Sequence, residues 1–158
     1  MNKQLYPPPR KLKFPEYRLT LSLEKYLTVS DSCGSFVDAQ KLIYEWYKKE
    51  LPANEVMIAI CLDGRNRAIG IIPVARGGAH GIGLKPSDIF KPVLTAGADA
   101  FILAHNHPSG DPTPSIEDIE MTKNIIEGSV FVGCPILDHI VITMDNKSRS
   151  LCDFVDFK

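Results

Sequence analysis

The chain has 158 residues, 44% of them hydrophobic, with 18 Lys and Arg against 19 Asp and Glu and a net charge of −1. That length and apolar content suit a globular fold with a sizeable core, and the mixed charge removes any bulk electrostatic pull toward nucleic acid. No apolar stretch approaches a membrane span and the N-terminus lacks the apolar core of a signal peptide, so a cytoplasmic protein is expected.

Residues 1–16 read as a flexible, Pro-rich basic tail. Pro7-Pro8-Pro9 favours an extended polyproline conformation, and Lys3, Arg10, Lys11 and Lys13 precede the first acid, Glu16. Such a tail is read first as solvated and second as a nucleic-acid arm. Residues 17–158 carry no internal repeat and no interior linker, and read as a single domain. Tyr17 to Leu21 alternates like an edge strand, and such an edge is compatible with a homodimer.

Ser35 to Leu51 has the helical period, with Phe36, Ala39, Leu42, Ile43, Trp46 and Tyr47 on one side, and Pro52 ends it. Glu55 to Leu62 is almost wholly apolar after its first residue and reads as a central strand. Asp63-Gly64-Arg65-Asn66 supplies a hairpin turn, and Ala68 to Val74 returns as a second strand. The glycine-rich stretch Gly77 to Gly83 lacks the Lys-Ser/Thr ending of a phosphate-binding loop and fits a closely approached backbone better; its His80 reads as a solvent-exposed loop residue or as one lining a site. Pro86 to Ala96 is a second helix, with Ile89, Phe90, Val93 and Leu94 on its buried side.

The most informative stretch, Ala100 to Ile119, reads AFILAHNHPSGDPTPSIEDI. An apolar run ends in His105-Asn106-His107, a cluster of turn residues follows, and a helix starts at Ser115 and runs to about Glu127. Residues i and i+2 of a strand share a face, so His105 and His107 converge while Asn106 points away. Asp118, at the start of the helix, can be returned by the turn to the same point. Two imidazoles and a carboxylate suit zinc and leave a fourth position open, as in catalytic sites. Ser115-x-x-Asp118 equally matches a capping box that touches no metal, and both readings stay open. Beyond it, Pro135 to Met144 reads as a strand carrying Asp138 and His139, and Ser148 to Phe154 as a short terminal strand. Cys33, Cys61, Cys134 and Cys152 have no C-x-x-C spacing and read as free, mostly packed thiols.

The run HNHPSGDPTPSIEDIEMTKNI, with Leu137-Asp138-His139-Ile140 downstream, resembles the RadC branch of the JAB/MPN superfamily, whose JAMM motif is His-x-His-Pro followed by Ser-x-x-Asp. The likeness covers roughly Ser35 to Cys152. It implies a zinc-dependent peptide or isopeptide hydrolase with one Zn2+ per chain held by His105, His107 and Asp118. It also implies Glu55 as the general acid/base that activates the water, with Glu50 as a competing candidate, and Ser115 as the oxyanion donor. Asp138 or His139 could hold a ligand histidine in place. RadC proteins often carry small hydroxyl residues and Asn where this chain has His80 and Ile82, and usually a helix-hairpin-helix-like region ahead of the catalytic domain, for which the N-terminal residues here are too short.

The alternatives are a DNA-repair-associated or DNA-binding protein, including a metal-dependent nuclease, and a non-catalytic MPN scaffold. HNH nucleases, however, spread their histidines over a hairpin and a helix. The resemblance implies an α/β, JAB/MPN-like (cytidine deaminase-like) sandwich. It would have a mixed, mostly antiparallel sheet, about three helices and the metal at one sheet edge.

Overall fold

The computed structural model describes residues 35–50, 52–77 and 84–157. The basic tail, the strand expected at Tyr17 to Leu21 with its homodimer reading, Cys33, His80 and Ile82 lie outside the described residues.

Helix α1 (Phe36–Glu50) opens beneath Ser35, whose Oγ accepts from the Asp38 N–H at 3.2 Å. It buries Ala39, Leu42, Ile43, Trp46 and Tyr47, the stripe that its periodicity predicts, whereas Phe36 at the helix start is exposed. Strand β1 (Val56–Leu62) is buried throughout, and β2 (Ala68–Arg76) returns antiparallel to it. The turn between them has Asn66 at φ 58°, a conformation Asn tolerates well, and Asp63 Oδ1 accepts from the N–H groups of Arg65 and Arg67.

Helix α2 (Pro86–Thr95) leads to β3 (Ala100–Asn106), which includes both His105 and Asn106. Helix α3 (Ile116–Val132) runs beyond the expected end near Glu127. Gly128 lies inside it because a Cβ there would meet the Phe90 ring at 3.0 Å, so the small residue admits close packing of α2 on α3. The helix ends at Gly133, whose φ of 71° is the left-handed cap. Strand β4 (Ile136–Ile142) and the short β5 (Ser148–Ser150) follow. The terminal strand expected to reach Phe154 stops at Ser150, where the Ser150 Oγ accepts from the Cys152 N–H and starts a 3-10 turn over Leu151–Asp153 that buries Leu151.

Among the described residues five strands are ordered β2-β1-β3-β4-β5, and of their pairings only β3–β4 is parallel. That pairing requires a crossover, which α3 supplies. Alternate residues of the central strands feed two cores. Val56, Ile58, Ile60, Ile102, Ala104 and Ile140 pack under α1, while Met57, Ala59, Phe101 and Leu103 pack with Ile89, Phe90 and Val93 of α2 and Ile125 of α3. The described residues form an α/β sandwich with α1 on one face and α2 and α3 on the other.

Tyr47 of α1 ties the central pair. Its hydroxyl donates to the Val56 carbonyl at 2.6 Å and lies 3.1 Å from that of Ala104. Cys61 and Cys134 are buried free thiols, Cys152 is exposed, and burial pushes Cys61 up to about 11. Among the described residues no helix is long and apolar enough to cross a membrane.

Candidate metal centre

The sheet brings the chemistry-bearing residues to the ends of its central strands, not to a sheet edge as expected, because β3 is flanked by β1 and β4. His105 lies on the face shared with Met57 and Leu103, under α2 and α3, and is buried. His107 is the first residue past β3; its N–H donates to the Ile142 carbonyl at 2.8 Å, which holds it beside β4. The chain then turns through Gly110 at φ 82° and enters α3, delivering Asp118 to the same face.

The ligand atoms of His105, His107 and Asp118 all lie within 4.8 Å of one another. His105 Nε2 is 2.9 Å from His107 Nε2 and 3.4 Å from Asp118 Oδ1, and His107 Nε2 is 3.6 Å from Asp118 Oδ2. His107 Nδ1 is 2.8 Å from the Asp111 carbonyl; a carbonyl only accepts, so the ring proton sits on Nδ1 and Nε2 presents a lone pair to the cluster.

The electrostatics fit a site that attracts a cation. Burial pushes the Asp118 carboxyl up, but the facing imidazoles and the Ser115 hydroxyl outweigh it and hold the group well below the usual carboxylate range. The Asp118 carboxylate in turn raises His107 above the ordinary imidazole value, against the opposing effect of burial.

The capping box of Ser115-x-x-Asp118 is formed, and the same Asp118 faces the two histidines. Asp118 Oδ2 accepts from the Ser115 N–H at 2.8 Å and from its hydroxyl at 2.6 Å, and the Asp118 N–H donates to Ser115 Oγ at 3.1 Å. Oδ1 of the same carboxylate faces His105. Oδ2 also lies 3.6 Å from His107 Nε2, so one carboxylate serves both the helix start and the cluster.

A family model described as a RadC-like JAB domain matches residues 35–154. The chain belongs to the RadC-like JAB domain family. Among its relatives is a UPF0758 protein of Carboxydothermus hydrogenoformans, 42% identical over 108 residues, or 68% of this chain and 47% of the relative. A UPF0758 protein of Desulforudis audaxviator is 43% identical over 93 residues, 59% of this chain and 40% of the relative. The matched region thus spans less than half the length of these curated relatives.

In this RadC-like domain Glu55 directly precedes β1. The antiparallel register reaches as far as Met57 paired with His105, so Glu55, two residues before Met57, lies at the same end of the sheet as His107, two residues after His105. Its half-buried carboxylate is close enough to act on the His107 charge. The Gly77 N–H donates to the Glu55 carbonyl at 2.8 Å, and Asn106 braces the residues on either side: its Oδ1 accepts from the Val56 N–H at 2.8 Å and its Nδ2 donates to the Asn54 carbonyl at 3.2 Å. Asn106 points away from the cluster, as strand alternation predicts, and holds the segment that carries Glu55. The rival Glu50 ends α1, 3.7 Å from the Arg76 guanidinium.

Asp138 and His139 part company. His139 Nε2 is 2.8 Å from His105 Nδ1, whereas Asp138 Oδ1 accepts from the Ser150 hydroxyl, the Cys152 thiol and the His139 N–H. Burial raises the Asp138 carboxyl and lowers the His139 imidazole well below its ordinary value. Sequence reasoning missed Thr122, which touches His139, and the Asp111 carbonyl, which orients His107.

Proposed function

We propose that this RadC-like domain is a zinc-dependent hydrolase of the JAMM type that cleaves a peptide or isopeptide bond. The observation that carries the reading is the convergence of three ligand side chains within 4.8 Å, two imidazole nitrogens and a carboxylate oxygen, at the ends of the central strands. His105, His107 and Asp118 would hold one zinc ion, and this nitrogen and oxygen donor set suits it. When bound, the ion supplies Lewis-acid chemistry, acidifying a water and polarising a carbonyl.

The chain's own residues then divide the remaining work. Glu55, at the same end of the sheet as His107, takes a proton on its carboxylate from the attacking water and returns it to the departing nitrogen as the C–N bond breaks. The Ser115 hydroxyl can turn from Asp118 Oδ2 toward the developing oxyanion, because the Ser115 N–H keeps its own bond to that carboxylate oxygen. Having both histidines at one strand end, with Asn106 turned to the other face, favours this reading over an HNH-type nuclease.

The test is metal content by elemental analysis, on protein purified without chelator or a histidine tag, beside His107→Ala. One zinc per chain, lost in the variant, is expected. Cleavage of isopeptide-linked model substrates that stops in Glu55→Gln, with zinc retained, would then support the hydrolase. Trace metal retained equally by both proteins would overturn the reading.

A further inference from the structure

The cluster leaves unexplained what lies behind His105, where the fold buries two more polar side chains in a row. His105 Nδ1 is 2.8 Å from His139 Nε2, His139 Nδ1 is 2.7 Å from Thr122 Oγ1, and Thr122 Oγ1 is 2.6 Å from the main-chain carbonyl of Asp118. His139 and Thr122 have no exposed surface and His105 almost none, so bulk solvent does not reach the row.

The far end of the row sets the direction of every proton in it. A carbonyl oxygen only accepts, so the one Thr122 hydroxyl proton goes to Asp118. Thr122 Oγ1 is then an acceptor toward His139, which places the His139 proton on Nδ1. The His139 ring nitrogens face only a hydroxyl and another imidazole, so the ring is neutral and its Nε2 accepts. His105 must therefore carry its proton on Nδ1, and its Nε2 lone pair turns to His107 and Asp118.

We propose that Thr122 and His139 are positioning residues that lock His105 in the one tautomer able to bind a metal. The lock is anchored on the backbone of the residue that supplies the carboxylate. Asp118 thus acts at both ends of a closed circuit, with its side chain facing His105 Nε2 and its main-chain carbonyl fixing His105 Nδ1 through two intermediates. His107, nearer the surface, achieves the same result in one step through Asp111. The buried ligand needs the longer route because no carbonyl of the turn reaches it.

The ligation half of this proposal rests on the proposed metal site, whereas the tautomer half does not, so two readouts separate them. In the metal-free 158-residue chain labelled with 15N-histidine, at a fixed pH above the imidazole range, His105 is expected as the Nδ1–H form. Thr122→Val is expected to give a mixture of both His105 tautomers, and Thr122→Ser to restore the single form. By chelator competition, Thr122→Val should bind zinc about ten- to a hundredfold more weakly than the parent, and Thr122→Ser within a few-fold of it. Circular dichroism confirms that each variant is folded, and if Thr122→Val fails to fold, His139→Gln, which keeps one donor and one acceptor, takes its place against His139→Leu. Finding His105 as Nε2–H in the parent, or unchanged tautomer and zinc affinity in Thr122→Val, would overturn the lock. Absence of zinc binding in the parent, with the tautomer pattern intact, would instead sink the hydrolase reading alone.

Discussion

His105 and Asn106 are neighbours on one strand, both buried, and they turn to opposite faces of the same sheet. On the α1 face, Asn106 closes a self-contained arrangement: it braces Asn54 and Val56, and Tyr47 reaches the carbonyls of Val56 and Ala104. On the α3 face, the hydrogen bonds run from the Asp118 carbonyl to His105 and end in lone pairs that converge on one point. The two faces differ in what the last atoms meet: main-chain groups on the α1 face, and one another's imidazole nitrogens and carboxylate oxygens on the α3 face.

Substitution should separate the two faces. Asn106→Ala leaves the buried Val56 N–H and the Asn54 carbonyl without their side-chain partner, and should lower the unfolding free energy by about 2 kcal/mol in urea titrations. It should keep its zinc, the reverse of His107→Ala. Equal loss of zinc from Asn106→Ala would mean that the faces are not independent.

A proton should compete only on the α3 face. Metal binding needs His107 Nε2 unprotonated, and the Asp118 carboxylate raises the His107 value. At the proposed site zinc affinity should therefore be full above that raised value and fall as pH drops through it, by about tenfold per pH unit for one displaced proton. Titration of zinc affinity between pH 5 and pH 9, in steps of about half a unit, checks this. A flat profile would show that the site does not draw protons as its geometry implies.

The smallest effect belongs to Tyr47→Phe. Removing the hydroxyl deprives the Val56 carbonyl of a buried donor and should cost about 1 kcal/mol of stability by the same titration, with zinc affinity unchanged.

Much of this arrangement was legible beforehand because its signals are local. The apolar period of α1, the fully apolar β1 and the spacing of His105, His107 and Asp118 each follow from geometry that a short stretch of chain carries. Thr122 was missed because a threonine inside a helix carries no signal of its own. The available hint was its position four residues after Asp118, where a hydroxyl can bond back to the earlier carbonyl. The choice between Asp138 and His139 was not legible either. It depends on a register shift between β3 and β4, past which His139 pairs with Leu103 and takes the α3 face. Parity along one strand cannot reveal a shift that exists only between two. The expected end of α3 failed at Gly128, whose small size answers to Phe90, a neighbour distant in sequence.

The outer strands have a consequence of their own. An exposed sheet margin is a template on which further chains can stack into fibres. Here β2 carries Pro73, which has no N–H to offer, and its register with β1 slips beside it between Met57 and Ile58. At the other margin β5 is three residues long and gives way to the turn over Leu151–Asp153. One rim is interrupted and the other is short, so the described sheet offers little purchase for uncontrolled polymerisation.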